Sequence, residues 1–269
     1  MNLTTKILKY EIHNTIRSKW VILYTLFFFL VGYALFSFTG DVNRAYISLM
    51  NIVIFIIPLV SLIFGSIYLY NSREFIEMML SQPIDRRSLF TGIYFGTSLP
   101  LSAAYVVGIL IPFLLFSRVG EHVDGLIVLL LTGVALTFIF TALSFLISVL
   151  QDDKAKGLGF SILLWLILAV IYDGLVLFIL YYFEEYPLEK IMIALSVVNP
   201  IDLGRILFLI KFDVSALMGY TGAVFKEFFG GYLGMIISFF FMLLWIPCGR
   251  AWDKQSHISI PIIFFSWLY

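Results

Sequence analysis

The sequence predicts an all-α polytopic membrane protein of six transmembrane helices, in one domain covering residues 1–269, and three observations predict it. Hydrophobic residues make up 61% of the chain and charged residues 13%, against about 45–50% and about 25% in soluble domains, so there are too few polar side chains to cover a water-facing surface. The apolar residues fall in charge-free runs, each long enough for the ~20 helical residues that a bilayer requires. The basic residues of the short connections gather in alternate links.

Six runs qualify, about 20–40, 46–70, 90–117, 126–150, 158–182 and 231–249. A bare charge at the bilayer centre costs at least ~2.5 kcal/mol, and only the fifth run carries one, Asp173. The first run is long, follows a lysine-rich stretch and lacks a small-x-small cleavage site near Thr39, which favours an uncleaved span over a signal peptide. Residues 258–269 are apolar but interrupted by Pro261 and too short to cross, and are expected to lie at the interface. Lys6, Lys9, Arg17, Lys19, Arg73, Arg86, Arg87, Lys154, Lys156, Arg250 and Lys254 fall on one side of this arrangement, and the short links of the other side hold only Arg44 and Arg118. That asymmetry places both termini in the cytoplasm.

The connecting segments carry the rest of the reading. Within residues 1–19, Leu8, Ile12 and Ile16 repeat at helical spacing beside Lys6, Lys9, His13 and Arg17, the pattern of an amphipathic interfacial helix or of a basic flank that sets orientation. Residues 71–89 form a second short helix and a corner. Asn71 and Ser72 can cap it, Glu74 and Glu77 suit its first turns, Phe75, Met78 and Met79 share a face, and Pro83 ends it. Such a helix is either a plug for a socket in a cytoplasmic partner or a plain turn. Asp152 and Asp153 in the link 151–157 offer a second contact on the same side, or a solvated turn.

Residues 184–230 are too long for a connector and too apolar for disorder. Leu188, Ile191, Met192 and Leu195 suggest one short outer helix, Asn199-Pro200 breaks it, and Asp202 can cap another that carries Arg205 and Ile206. These outer helices would be a docking surface for an extracytoplasmic protein, or a lid. Asp173 is by default a functional candidate, although it lies in the outer half of its span and could snorkel or cap a break at Gly174.

No phosphate-cradling loop, H-E-x-x-H or G-x-S-x-G motif occurs, so this chain is expected to be no enzyme and to bind no ATP itself. One cysteine and three scattered histidines give no metal cage. Zero net charge gives no nucleic-acid footprint.

The strings "LSQPIDRRSLFTGIYFG" between spans two and three, "NPIDLGRILFL" and "DVSALMGYTGA", with six spans and an amphipathic N-terminal helix, resemble ABC-2-type permeases, and more narrowly the permease subunits of the Nos accessory ABC transporters that mature nitrous oxide reductase. The resemblance covers nearly the whole chain. It implies a type V exporter-like permease fold in the bacterial inner membrane and a homodimer. Each copy would engage a separate cytoplasmic ABC ATPase, which holds the ATP and magnesium. By position, Glu74, Phe75, Glu77, Met78, Pro83, Arg86 and Arg87 would form the ATPase-coupling site. A periplasmic β-helical copper-binding protein would dock on the outer segment at Leu188, Ile191, Asp202 and Arg205, receiving copper from a copper-chaperone lipoprotein and passing it to the reductase. The species delivered would be copper or sulfur, with no cofactor in this chain. Two rival readings stand beside this one: an ABC-2 exporter of a lipid, drug or polysaccharide, and an ion-coupled secondary transporter.

Overall fold

The computed structural model describes residues 3–39, 42–82, 86–116, 123–182, 195–212 and 238–245, and every element among them is helical. In chain order these are α1 (Leu3–Ile16), α2 (Lys19–Phe38), α3 (Val42–Asn71), α4 (Arg73–Leu80), α5 (Arg86–Phe116), α6 (Val123–Leu150), α7 (Lys154–Leu166), a π-helical turn (Ile167–Ile171), α8 (Tyr172–Tyr182) and α9 (Pro200–Phe212). Residues 195–198 and 238–245 are also helical. Five stretches are long and apolar enough to cross a membrane: Lys19–Phe38, Arg44–Asn71, Arg86–Phe116, Val123–Leu150 and Lys154–Ile179. The first five predicted spans map onto them. Of the sixth, only residues 238–245 are described; the rest of that span, and the expected interfacial tail 258–269, lie outside the described residues.

The spans pack as pairs, α2 on α5 and α3 on α6, around one large apolar core. Phe28, Tyr46, Tyr105 and Phe140 are fully buried in it. Several polar side chains inside find partners within or between helices, which a medium without water favours. Tyr105 donates to the Leu129 carbonyl at 2.8 Å and Tyr94 to the Phe138 carbonyl at 2.9 Å, each tying α5 to α6. Along α5, Thr97 and Ser98 return their hydroxyls to the carbonyls one turn back, of Ile93 and Tyr94.

A second, smaller core closes one end of the bundle, where Ile7 of α1, Ile76 of α4, Leu89 and Ile93 of α5 and Phe145 of α6 meet. The helix α1 therefore also packs a face that the sequence did not single out. Its packed face is Ile7, Glu11 and Thr15, while Leu8 and Ile12 are half-buried and Ile16 is exposed. The cause is a groove in α5. Glycines stand at 92 and 96, and a Cβ at Gly96 would collide with Glu11, so α1 can lie flat against the helix only because no side chain intervenes. Tyr68 of α3 donates its hydroxyl to the Glu11 carboxylate, and burial pushes that carboxyl above its ordinary value, against the pull of the tyrosine. Lys6, Lys9, His13 and Arg17 remain exposed on the other sides of α1.

Candidate functional site

The eight residues of α4 divide into two faces. Ile76 is buried in the smaller core, with Phe75, Met79 and Leu80 half-buried around it, and the Phe75 ring stacks on Tyr10 of α1 with centroids 6.2 Å apart. Glu74, Glu77 and Met78 point away, Met78 being 55% exposed. The sequence placed Phe75, Met78 and Met79 on one face; in the structure Ile76 is the anchor, with Phe75 and Met79 half-buried beside it, and Met78 joins the two carboxylates outside. Ser72 occupies the N-cap position but its hydroxyl makes no capping bond, and the turn is closed instead by the Ile76 amide on the Ser72 carbonyl at 2.9 Å. Pro83 and Asp85 lie outside the described residues. Arg86 and Arg87 begin α5, half-exposed and exposed respectively.

The link between α6 and α7 is fastened to this helix. Arg73, the first residue of α4, donates from Nη1 to the Asp152 carbonyl at 2.9 Å and pairs through Nη2 with its carboxylate at 3.1 Å. Lys154 Nζ reaches Asn71 Oδ1 at 2.9 Å, and Tyr70 donates to the Gln151 carbonyl at 2.8 Å. Asp153 does a different job. It is the N-cap of α7, accepting the Ala155 and Lys156 amides at 2.7 and 3.2 Å, and these N–H groups, Lys156 first, hold its carboxyl below the usual range. The site is thus a composite platform at one end of the bundle, made of α4, the start of α5 and the 151–157 link.

A third cluster lies on the far part of the fifth span, roughly 28 Å along the helix from Lys154 at 1.5 Å per residue. Arg205 of α9 pairs through Nη2 with Asp173 of α8 at 2.8 Å, and its Nη1 lies 3.3 Å from Asp202. Asp202 does not cap α9, as the sequence suggested. Asn199 does, its Oδ1 accepting the Ile201 amide at 3.0 Å, while Asp202 sits buried in the first turn. Nor does the span break at Gly174; it changes winding just before Asp173, in the π-helical turn.

Residues 5–249 match the ABC-2 family transporter protein family. The chain belongs to it. Among curated relatives, the probable ABC transporter permease protein NosY of Pseudomonas aeruginosa is 26% identical over 226 residues, covering 78% of this chain and 82% of that protein. The probable NosY of Stutzerimonas stutzeri is 22% identical over 283 aligned positions, 98% of each chain. This protein is accordingly a NosY-like permease component of an ABC transporter, a multi-pass membrane protein whose two curated relatives bear the name of probable permease proteins.

Within this ABC-2 permease the predicted residues sort plainly. Glu74, Phe75, Glu77, Met78, Arg86, Arg87, Asp152 and Asp153 come together at one end. Asp173, Asp202 and Arg205, read in the sequence as two separate features, form one cluster. Leu188 and Ile191 lie outside the described residues. Sequence reasoning missed Arg73, Ile76 and Asn199. An isoleucine between two glutamates and an arginine at the mouth of a turn carry no pattern of their own; the Asn-Pro pair before α9 did carry a capping signal.

Proposed function

We propose that this permease couples a separate cytoplasmic ATPase to conformational change in a periplasmic partner, delivering copper or sulfur for the maturation of nitrous oxide reductase. The observation that carries the reading is the bare Glu74, Glu77 and Met78 face of α4, on a helix whose other side is held by Ile76, Phe75 and the Arg73 clip. A short amphipathic helix anchored behind and open in front is suited to a socket, where charge pairs partly shielded from water fix orientation. ATP binding draws two ATPases together, and the α4 helices of a homodimer follow them. Because α4 shares its core with α1 and α5 and is clipped to the head of α7, the pull passes to several spans as rigid bodies. The NosY names of the relatives support the maturation role, and the outer segment 184–230 is the surface offered to the periplasmic guest. The basic residues at the α4 end support a cytoplasmic platform in the bacterial inner membrane.

Co-purification tests this. Expressed beside its neighbouring ATPase, the chain brings that ATPase down, and Glu77→Arg or deletion of residues 74–80 abolishes the association. Binding that survives the deletion sinks the assignment of the joint. Substitutions in 184–230 should release the periplasmic protein and leave the ATPase bound; loss of the ATPase alone would contradict the docking surface.

A further inference from the structure

The helix α8 is apolar, yet none of its described side chains is buried. Leu177, Phe178, Tyr181 and Tyr182 are 65 to 82% exposed. Among the described residues, polar ties join it to the bundle. Tyr172 donates its hydroxyl to the Leu195 carbonyl, Asp173 receives Arg205 Nη2 at 2.8 Å, and just behind them Asn199 Nδ2 donates to the Leu168 carbonyl at 2.9 Å. All three partners belong to residues 195–205. That segment is firmly seated: Ile201, Leu203 and Phe208 are buried in the main core, and a Cβ at Gly204 would meet Thr132 Cγ2 of α6 at 2.9 Å, so α9 lies close against α6.

The turn on which α8 would swing is equally specific. Ile167–Ile171 is π-wound, so it departs from the i→i−4 ladder that stiffens an α-helix. Immediately before it, Trp165 Nε1 donates to the Phe55 carbonyl of α3 at 3.0 Å, which fixes the end of α7. A softer turn therefore separates a pinned α7 from an α8 that Arg205 and the Tyr172 hydroxyl tie to residues 195–205.

We propose that Arg205 is a positioning residue: its bridge to Asp173 latches α8 onto the seated outer helix α9, and with the latch open the outer part of the fifth span swings about the Ile167–Ile171 turn. Asp202, 3.3 Å from Nη1, steers the guanidinium so that its second arm reaches Asp173. The inference concerns the chain's own spans and holds whether or not the ATPase reading does.

The test is pulsed electron–electron spin resonance on the full chain in lipid nanodiscs, with Cys248 replaced by serine. Spin labels at Phe178→Cys and Leu131→Cys report α8 against α6, and labels at Leu30→Cys and Leu115→Cys report α2 against α5 as a reference. The labelled chain is diluted with unlabelled chain, so that a dimer carries one labelled copy, and the native pair then gives one narrow distance. Asp173→Asn and Arg205→Gln should each broaden the α8 distance and leave the reference pair alone, and Asp173→Glu, which keeps the carboxylate beside Arg205, should stay narrow. A distance that stays narrow in both neutral variants, or one that Asp173→Glu broadens as far as Asp173→Asn does, overturns the latch. Should the neutral variants not accumulate in the membrane, Asp173→Glu decides: native accumulation with a narrow distance supports the pairing, and its absence overturns it.

Discussion

A carboxylate only 2% exposed, on a helix that was expected to float at the interface, shows how much rests on single atoms here: Glu11 is kept by the Tyr68 hydroxyl and by a groove of missing side chains in α5. Tyr68→Phe leaves that buried acceptor without its donor, and should destabilise the fold by about 1–3 kcal/mol, read as a lower melting temperature in nanodiscs. The sign of its pH dependence follows from the raised carboxyl. The folded protein holds the Glu11 proton more tightly than the unfolded chain, so this contribution is fully present below the ordinary carboxylate range and is lost as pH rises through the raised value. Glu11→Gln should flatten that part of the stability curve; an unchanged curve would refute it. Asp153 runs the other way. Its lowered carboxyl contributes above the ordinary carboxylate range and fails as pH falls through the lowered value. Asp153→Ala should lower the melting temperature at neutral pH, whereas Asp153→Asn, which still caps, should stay close to native.

At the scale of the element, α4 offers a clean separation between holding the helix and presenting it. Ile76→Ala should cost about 2 kcal/mol or more, because the side chain fills the smaller core, and should weaken ATPase association without touching the outer face. Glu77→Arg should abolish association and leave the melting temperature alone. The Arg73–Asp152 bridge is too exposed, 37% and 76% at the two side chains, to add more than about 1 kcal/mol; Arg73→Ala should therefore spare stability and uncouple. Comparing melting temperature with ATPase pull-down across these three variants checks all of it, and a stability loss in Glu77→Arg would contradict the two-faced helix. The same element shows what the sequence could and could not tell. Spacing announced a short amphipathic helix within 71–89, where α4 spans Arg73–Leu80, but the rotation that puts Ile76 inside and Met78 outside was not legible. In α1 the sequence offered Leu8, Ile12 and Ile16 as a strip for the membrane and said nothing of Ile7, Glu11 and Thr15, which pack. The physical reason is shared: beside a membrane the outward medium is as apolar as the core, so periodicity marks a stripe without saying which way it faces. Close-packing groups, glycines in α5 and a small or polar residue opposite, decide that instead.

For the whole molecule the spans were legible because hydrocarbon tolerates so little charge, and five of them stand where the runs of uncharged residues put them. The long-range pairing was not. Arg205 and Asp173 lie 32 residues apart in sequence, and nothing in either neighbourhood names the other; only the seating of α9 against α6 brings them together. Orientation depends on the same charge economy. The α4 platform collects Arg73, Arg86, Arg87, Lys154 and Lys156 at one end of the bundle, and the positive-inside bias predicts that this end faces the cytoplasm. On a Cys248→Ser chain, a single cysteine at Glu77 should react with a membrane-impermeant maleimide only in inverted vesicles, and one at Val123, exposed at the opposite end of α6, only in intact spheroplasts. If Glu77→Cys is blocked from outside intact cells, the platform faces the wrong compartment for any cytoplasmic ATPase, and the force path from α4 through α7 to the outer helix has no source.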